Sequence, residues 1–218
     1  MLKTERMDRV RAALRAQGLT QMIVCDPKSV WYLTGVAVEP YERLLALYLP
    51  TEGDPVLFLN RLFNVPEPPC RTVWHTDTDK PVAQIAEVVD AGKPLGIDKE
   101  WPAKFLIPLM ETHPGMQVVL SSDCVDDCRA CKDAEEQALM REASRINDAV
   151  NEAAKHYIKA GMTEREVAEF IDAQYRAHGC EGPSFTTIVS FGANAADPHH
   201  EPDDTVLKEG DCVLFDMG

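Results

Sequence analysis

The sequence predicts an α/β protein, with a mixed-sheet domain over residues 1–124 followed over 125–218 by a stretch of helices and strands of α+β type. Three observations predict it. Apolar runs at 44–49 and 56–59 flank a turn cluster of Pro, Gly and Asp, the pattern of a β-hairpin, and short strands then alternate with amphipathic helices. From about Asp126 the composition shifts to long stretches rich in Ala, Glu, Met, Arg and Lys. Near the end, two short apolar runs bracket a loop of Gly, Asn, Pro and His, so the second domain returns from helix to strand.

Taken in order, residues 3–17 place Met7, Val10, Ala13 and Leu14 on one face, and Gly18 ends that helix. Residues 22–25 read as a strand. Trp31 and Tyr32 read as core aromatics, because large rings bury area wherever they occur. After the hairpin, 72–74 is a strand, 81–91 a helix through Val82, Ile85, Val88 and Val89, and 94–98 a strand. A helix over 102–111 and a strand over 116–120 close the first domain, with its end near Ser122 to Cys124.

In the second domain, 133–159 carries Leu139, Ile146, Val150 and Ala153 as one helical stripe. Thr163 and Glu166 form a capping box, so a further helix runs to about His178 and stops at Gly179. Residues 188–191 read as a strand, 192–202 as a loop and 212–215 as a buried strand. Asp216 follows four apolar residues and is expected at the end of a core strand, where an unpaired carboxylate is costly.

The net charge of −14 and a pI near 4.8 exclude non-specific binding to nucleic acid or to anionic lipid. The N-terminus is a charged amphipathic helix, not a signal peptide, and no 18-residue apolar run exists. Seven cysteines without a dense framework point to reduced thiols in a cytoplasm. No phosphate-cradling glycine motif is present. Cys124, Cys128 and Cys131 have a spacing used to hold iron–sulfur clusters. The same spacing also lies along one helical face with charges between, so free thiols are expected, with a cluster or a labile zinc as alternatives. Adjacent carboxylates such as Asp203 and Asp204 read as solvated charge, and His75, His113, His156 and His178 as structural or exposed.

The run P-S-F, I-V, G-A-N-A-A-D-P-H-H and G-D-x-V-L-x-D-M-G, from Pro183 to Gly218, resembles the pita-bread metallopeptidases, which include methionine aminopeptidase, aminopeptidase P and prolidase, with creatinase as a non-peptidase cousin. Y-L-T-G at 32–35 resembles the N-terminal domain of the creatinase/prolidase branch, and R-x-C-K-D-x-E-E followed by G-M-T-E resembles the opening of the pita-bread domain. The resemblance implies a creatinase-like N-terminal domain and the first half of a catalytic domain. It makes Asp216 the first ligand of a centre of two divalent ions (Mn, Co or Zn), and it sets His199 over the substrate carbonyl, with His200 at a variable position. The implied chemistry is attack of a metal-bridging hydroxide on an N-terminal peptide bond, and the two-domain plan points to Xaa-Pro peptides or dipeptides. Homodimers are common in that family. Its other metal ligands lie beyond the strand that ends at Asp216, so this stretch is expected to be catalytically incomplete and to hold no metal tightly. The alternatives are a non-catalytic binding or dimerisation module and a creatinase-like non-peptidase hydrolase.

Overall fold

The computed structural model describes residues 2–218, which divide into two compact units between Lys132 and Asp133. The division falls later than the boundary expected at 124. The reason is the helix α5 (Asp123–Ala130): its Cys124, Val125 and Cys128 are buried in the hydrophobic core of the first unit.

In the first unit the chain runs α1 (Thr4–Ala16), β1 (Gln21–Val24), α2 (Pro27–Thr34), β2 (Ala46–Pro50), β3 (Val56–Asn60), β4 (Arg71–His75), α3 (Pro81–Ala86), β5 (Leu95–Ile97), α4 (Ala103–Thr112), β6 (Val118–Leu120) and α5. The six strands form one sheet in the order β4-β3-β2-β1-β5-β6. The β2–β3 hairpin and the β1–β2 pair are antiparallel, whereas β3–β4, β1–β5 and β5–β6 are parallel, which makes the sheet mixed as expected. Helices cover both faces. Met22, Val24, Leu47, Leu49, Leu57 and Leu59 pack into one core with residues of α1, α2 and α5. Their alternate neighbours Ile23, Ala46, Val56 and Phe58 pack into another with residues of α3 and α4. Burial on both sides explains why these strands read as continuous apolar runs rather than as alternating ones.

Two expectations in this unit need correction. Residues 27–34 form a helix whose N-cap Asp26 accepts from the amides of Lys28 and Ser29 and whose C-cap Gly35 adopts φ 75°. Helical spacing separates the two adjacent aromatics: Tyr32 is buried and its hydroxyl donates to the Cys128 carbonyl, whereas Trp31 is 54% exposed and does not serve the core. The helix expected over 81–91 is also shorter, ending at Ala86, although Ile85 and Val89 are both buried.

The second unit contains α6 (Ala134–Tyr157), α7 (Glu164–Ala177), β7 (Ile188–Phe191), a 3-10 turn (Gly192–Ala196) and β8 (Val213–Asp216). Both helices open with full capping boxes, Asp133 with Glu136 and Thr163 with Glu166. Val150 and Ala154 of α6, Val167, Ile171 and Tyr175 of α7, and Val189 and Phe191 of β7 make the core. Leu139 is 66% exposed, so the buried stripe of α6 begins only in its second half. β8 is likewise not the buried strand expected. Among the described residues it pairs only with β7, and Val213, Leu214 and Asp216 are exposed.

Candidate active site

The site is built on the loop that joins β7 to β8. The two strands pair antiparallel, with Phe191 opposite Val213 beside the loop and Ile188 opposite Asp216 at the far end. Gly192 begins the loop at φ 53°, its amide donating to the Cys212 carbonyl at 2.8 Å. A Cβ there would lie 3.3 Å from Asp211 Oδ1, so both conformation and space favour glycine.

The loop closes around one buried carboxylate. Glu164, the first residue of α7, is fully buried. Its Oε1 accepts from the Phe191 amide at 2.7 Å and from Asn194 Nδ2 at 3.0 Å. Its Oε2 meets His200 Nε2 at 2.6 Å and accepts from the Asp203 amide at 3.1 Å. Asn194 Nδ2 also donates to Thr205 Oγ1 at 3.1 Å, and the Thr205 amide donates to Asp203 Oδ1 at 2.7 Å. The hydrogen bond to Glu164 holds the His200 pKa above the ordinary imidazole value against the opposing effect of burial. Hydrogen bonds from Thr205 hold Asp203 below the usual carboxylate range. Four donors meet the Glu164 carboxyl group, which therefore escapes the cost of being buried unpartnered.

His199 stands next to this network without belonging to it. Its amide donates to Asp197 Oδ1 at 3.0 Å, and its side chain is exposed. Asp216 is exposed at the opposite end of the hairpin, three residue pairs from the loop, or roughly 10 Å along the strand. The structure thus draws His200 into contacts that the sequence assigns only weakly. Asp203, read from sequence as surface charge, is half-buried and bonded, whereas its neighbour Asp204 is exposed and pairs with Arg165 at 3.1 Å. Glu164 was missed altogether, since its partners lie 27 to 39 residues away and nothing in its neighbourhood announces them.

A centre of two divalent ions needs several oxygen and nitrogen ligands per ion. Among the described residues, Glu164, His200 and Asp203 bring ligand atoms within 4.8 Å of one another. Both Glu164 oxygens already accept donors and His200 Nε2 is engaged with Glu164 Oε2, so an ion at this set would have to displace these hydrogen bonds. Asp216, an exposed carboxylate at the end of β8, stands apart from this set. The thiols are no better placed: burial holds Cys124 up at about 11 and also raises Cys128, while Cys131 is exposed. All seven cysteines are free.

Comparisons with known proteins agree with the fold. Residues 6–131 match the creatinase/prolidase N-terminal domain and residues 138–218 match metallopeptidase family M24. The putative dipeptidase YkvY of Bacillus subtilis is 28% identical over 98% of this chain and 61% of its own length. The crystal structure of dipeptidase PepE from Mycobacterium ulcerans superposes with a TM-score of 0.87 at 30% identity, covering 99% of this chain and 60% of that one. A prolidase from Thermococcus sibiricus gives 0.89 at 28% identity, covering 100% and 62%. The chain spans about 60% of the length of these relatives. With both domain models matched in order along it, the chain belongs to the creatinase/prolidase branch of metallopeptidase family M24.

Proposed function

We propose that the protein carrying this chain is a metal-dependent peptidase that removes the N-terminal residue from Xaa-Pro peptides or dipeptides. The observation that carries this reading is the β7–β8 hairpin. It presents an exposed imidazole, His199, on a loop pinned by four hydrogen bonds, and an exposed carboxylate, Asp216, at its other end. The names of the relatives, a dipeptidase and a prolidase, support the substrate class.

In a polypeptide of the relatives' full length, Asp216 would hold one of two ions (Mn, Co or Zn) with ligands from outside this stretch, and the ions would supply a nucleophilic hydroxide. His199 would donate a hydrogen bond to the substrate carbonyl and to the charge that develops on it. The 218 residues by themselves are proposed to bind no metal tightly. A peptide substrate, a homodimeric assembly and a cytoplasmic setting belong to the same proposal.

The test is hydrolysis of Xaa-Pro dipeptides by the long form, with and without a chelator. Activity that disappears on chelation, returns with Mn²⁺ and is lost in Asp216→Ala is the expected result. Full activity in the Asp216→Ala protein would overturn the assignment.

A further inference from the structure

We infer that Glu164 and His200 are positioning residues: a buried hydrogen-bonded clamp that fixes the 191–205 loop and so sets the direction of the His199 side chain. The inference rests on the role proposed for His199 and goes beyond it, since neither clamp residue needs to touch substrate or metal.

Three features carry it. Glu164 is wholly buried, yet the four donors it meets come from four separate loop positions: the amide of Phe191, the side chain of Asn194, the ring of His200 and the amide of Asp203. One carboxylate thereby fixes both ends and the middle of a loop that otherwise has little core, because residues 193–204 are exposed or half-buried. The second feature is rigidity on the other side. Glu164 is the first residue of α7, and its neighbour Thr163 is locked by the Thr163–Glu166 capping box, so the clamp is fastened to a helix end that cannot drift. The third is adjacency. His200 is the next residue after His199, and a ring held 2.6 Å from a buried carboxyl group leaves the preceding Cα little freedom. The His199 amide is separately tied to Asp197, so the backbone on both sides of the exposed imidazole is restrained. The charged and titratable groups facing His200 are Glu164, Asp203 and Asp197, all of which favour its protonated form.

The test combines hydrogen exchange, the His199 ring resonance and steady-state kinetics in His200→Ala, His200→Gln and wild type, all made in a polypeptide of the relatives' full length. His200→Gln keeps a side-chain donor that can reach Glu164. In His200→Ala the loop amides of Phe191 and Asp203 should exchange about tenfold faster or more, while α7 keeps its protection. The His199 ring signal should collapse toward its free-peptide position. With Xaa-Pro substrate, kcat should fall about tenfold or more with KM within about twofold, because the group displaced acts on the transition state. His200→Gln should recover most of each effect. Should His200→Ala fail to fold, Glu164→Gln, which matches the wild type in shape and removes the carboxyl group, carries the same readouts. An unmoved His199 signal with unchanged loop exchange in either variant overturns the clamp. The exchange and resonance readouts do not depend on catalysis, so a wild type inactive on Xaa-Pro substrates would count against the proposed function and leave the clamp to be judged on its own.

Discussion

At the scale of single residues, the structure turns on a few positions where one atom decides. Gly96 lies in β5, inside the sheet, where a Cβ would come within 2.5 Å of Ser121 Oγ and 3.2 Å of the Gln21 carbonyl. Gly96→Ala requires the buried Ser121 side chain to shift and crowds the Gln21 carbonyl, and a loss of about 1–3 kcal/mol is expected in urea denaturation of the first unit. An unchanged midpoint would show that the sheet yields. His200 gives a pH prediction. Its folded pKa lies above the unfolded value of about 6.5, so its contribution to stability is complete below that pH and is lost as pH rises through the folded pKa. Asp203 works in the opposite direction, contributing above about 3.8 and losing that contribution as acid carries the pH below it. The second unit should therefore weaken as the pH rises above about 6.5, and His200→Gln should flatten that slope. A slope identical in the two proteins would mean that His200 does not titrate in contact with Glu164. Little of this was legible in the sequence, where Glu164 is one more acidic residue at a helix start and His200 one of two adjacent histidines. The contact that gives both meaning spans 36 residues.

Elements were far more readable, because their signals are local. The Thr163–Glu166 box announces α7, and the structure shows both of its reciprocal hydrogen bonds. Thr163→Ala removes the oxygen that accepts from the Glu166 amide and should cost about 1 kcal/mol in thermal unfolding of the second unit. It should also loosen the residue next to Glu164, so the loop amides serve as a second readout. The hairpin of β2 and β3 was legible for the same reason, since turn chemistry and apolar runs lie within one short stretch. Burial was not. The run Val213-Leu214-Phe215 looks like a core strand, and so it would be if both its edges were paired. Among the described residues only β7 pairs with it, which leaves Val213, Leu214 and Asp216 in solvent while Phe215 packs against the core. Trp31 misled similarly: a large ring suggests a core, but a helix turns adjacent residues about 100° apart, and only Tyr32 faces inward.

For the whole molecule, composition located the change from sheet to long helices, while the structure moved the division to Lys132 because α5 contributes buried side chains to the first core. Both units leave some large apolar side chains exposed, such as Leu62 and Leu120 in the first and Leu139 and Met140 in the second. They differ in their cores: the first has a six-stranded sheet with helices on both faces, whereas the second has a two-stranded sheet and a smaller core. Limited proteolysis of the 218-residue chain should therefore yield a resistant fragment ending near Lys132, with cuts concentrated beyond it. Loss of the first unit at the same rate as the second would contradict that ranking.

The most direct measurement is kcat of His199→Ala on an Xaa-Pro dipeptide, made in a polypeptide of the relatives' full length and paired with hydrogen exchange of the 191–205 loop. A single preorganised donor to a developing oxyanion is worth about 3 kcal/mol, so kcat should fall about a hundredfold while loop protection stays at the wild-type level, since His199 stands outside the Glu164 network. Activity within twofold of wild type, with the loop equally protected, would show that the exposed histidine does not act on substrate.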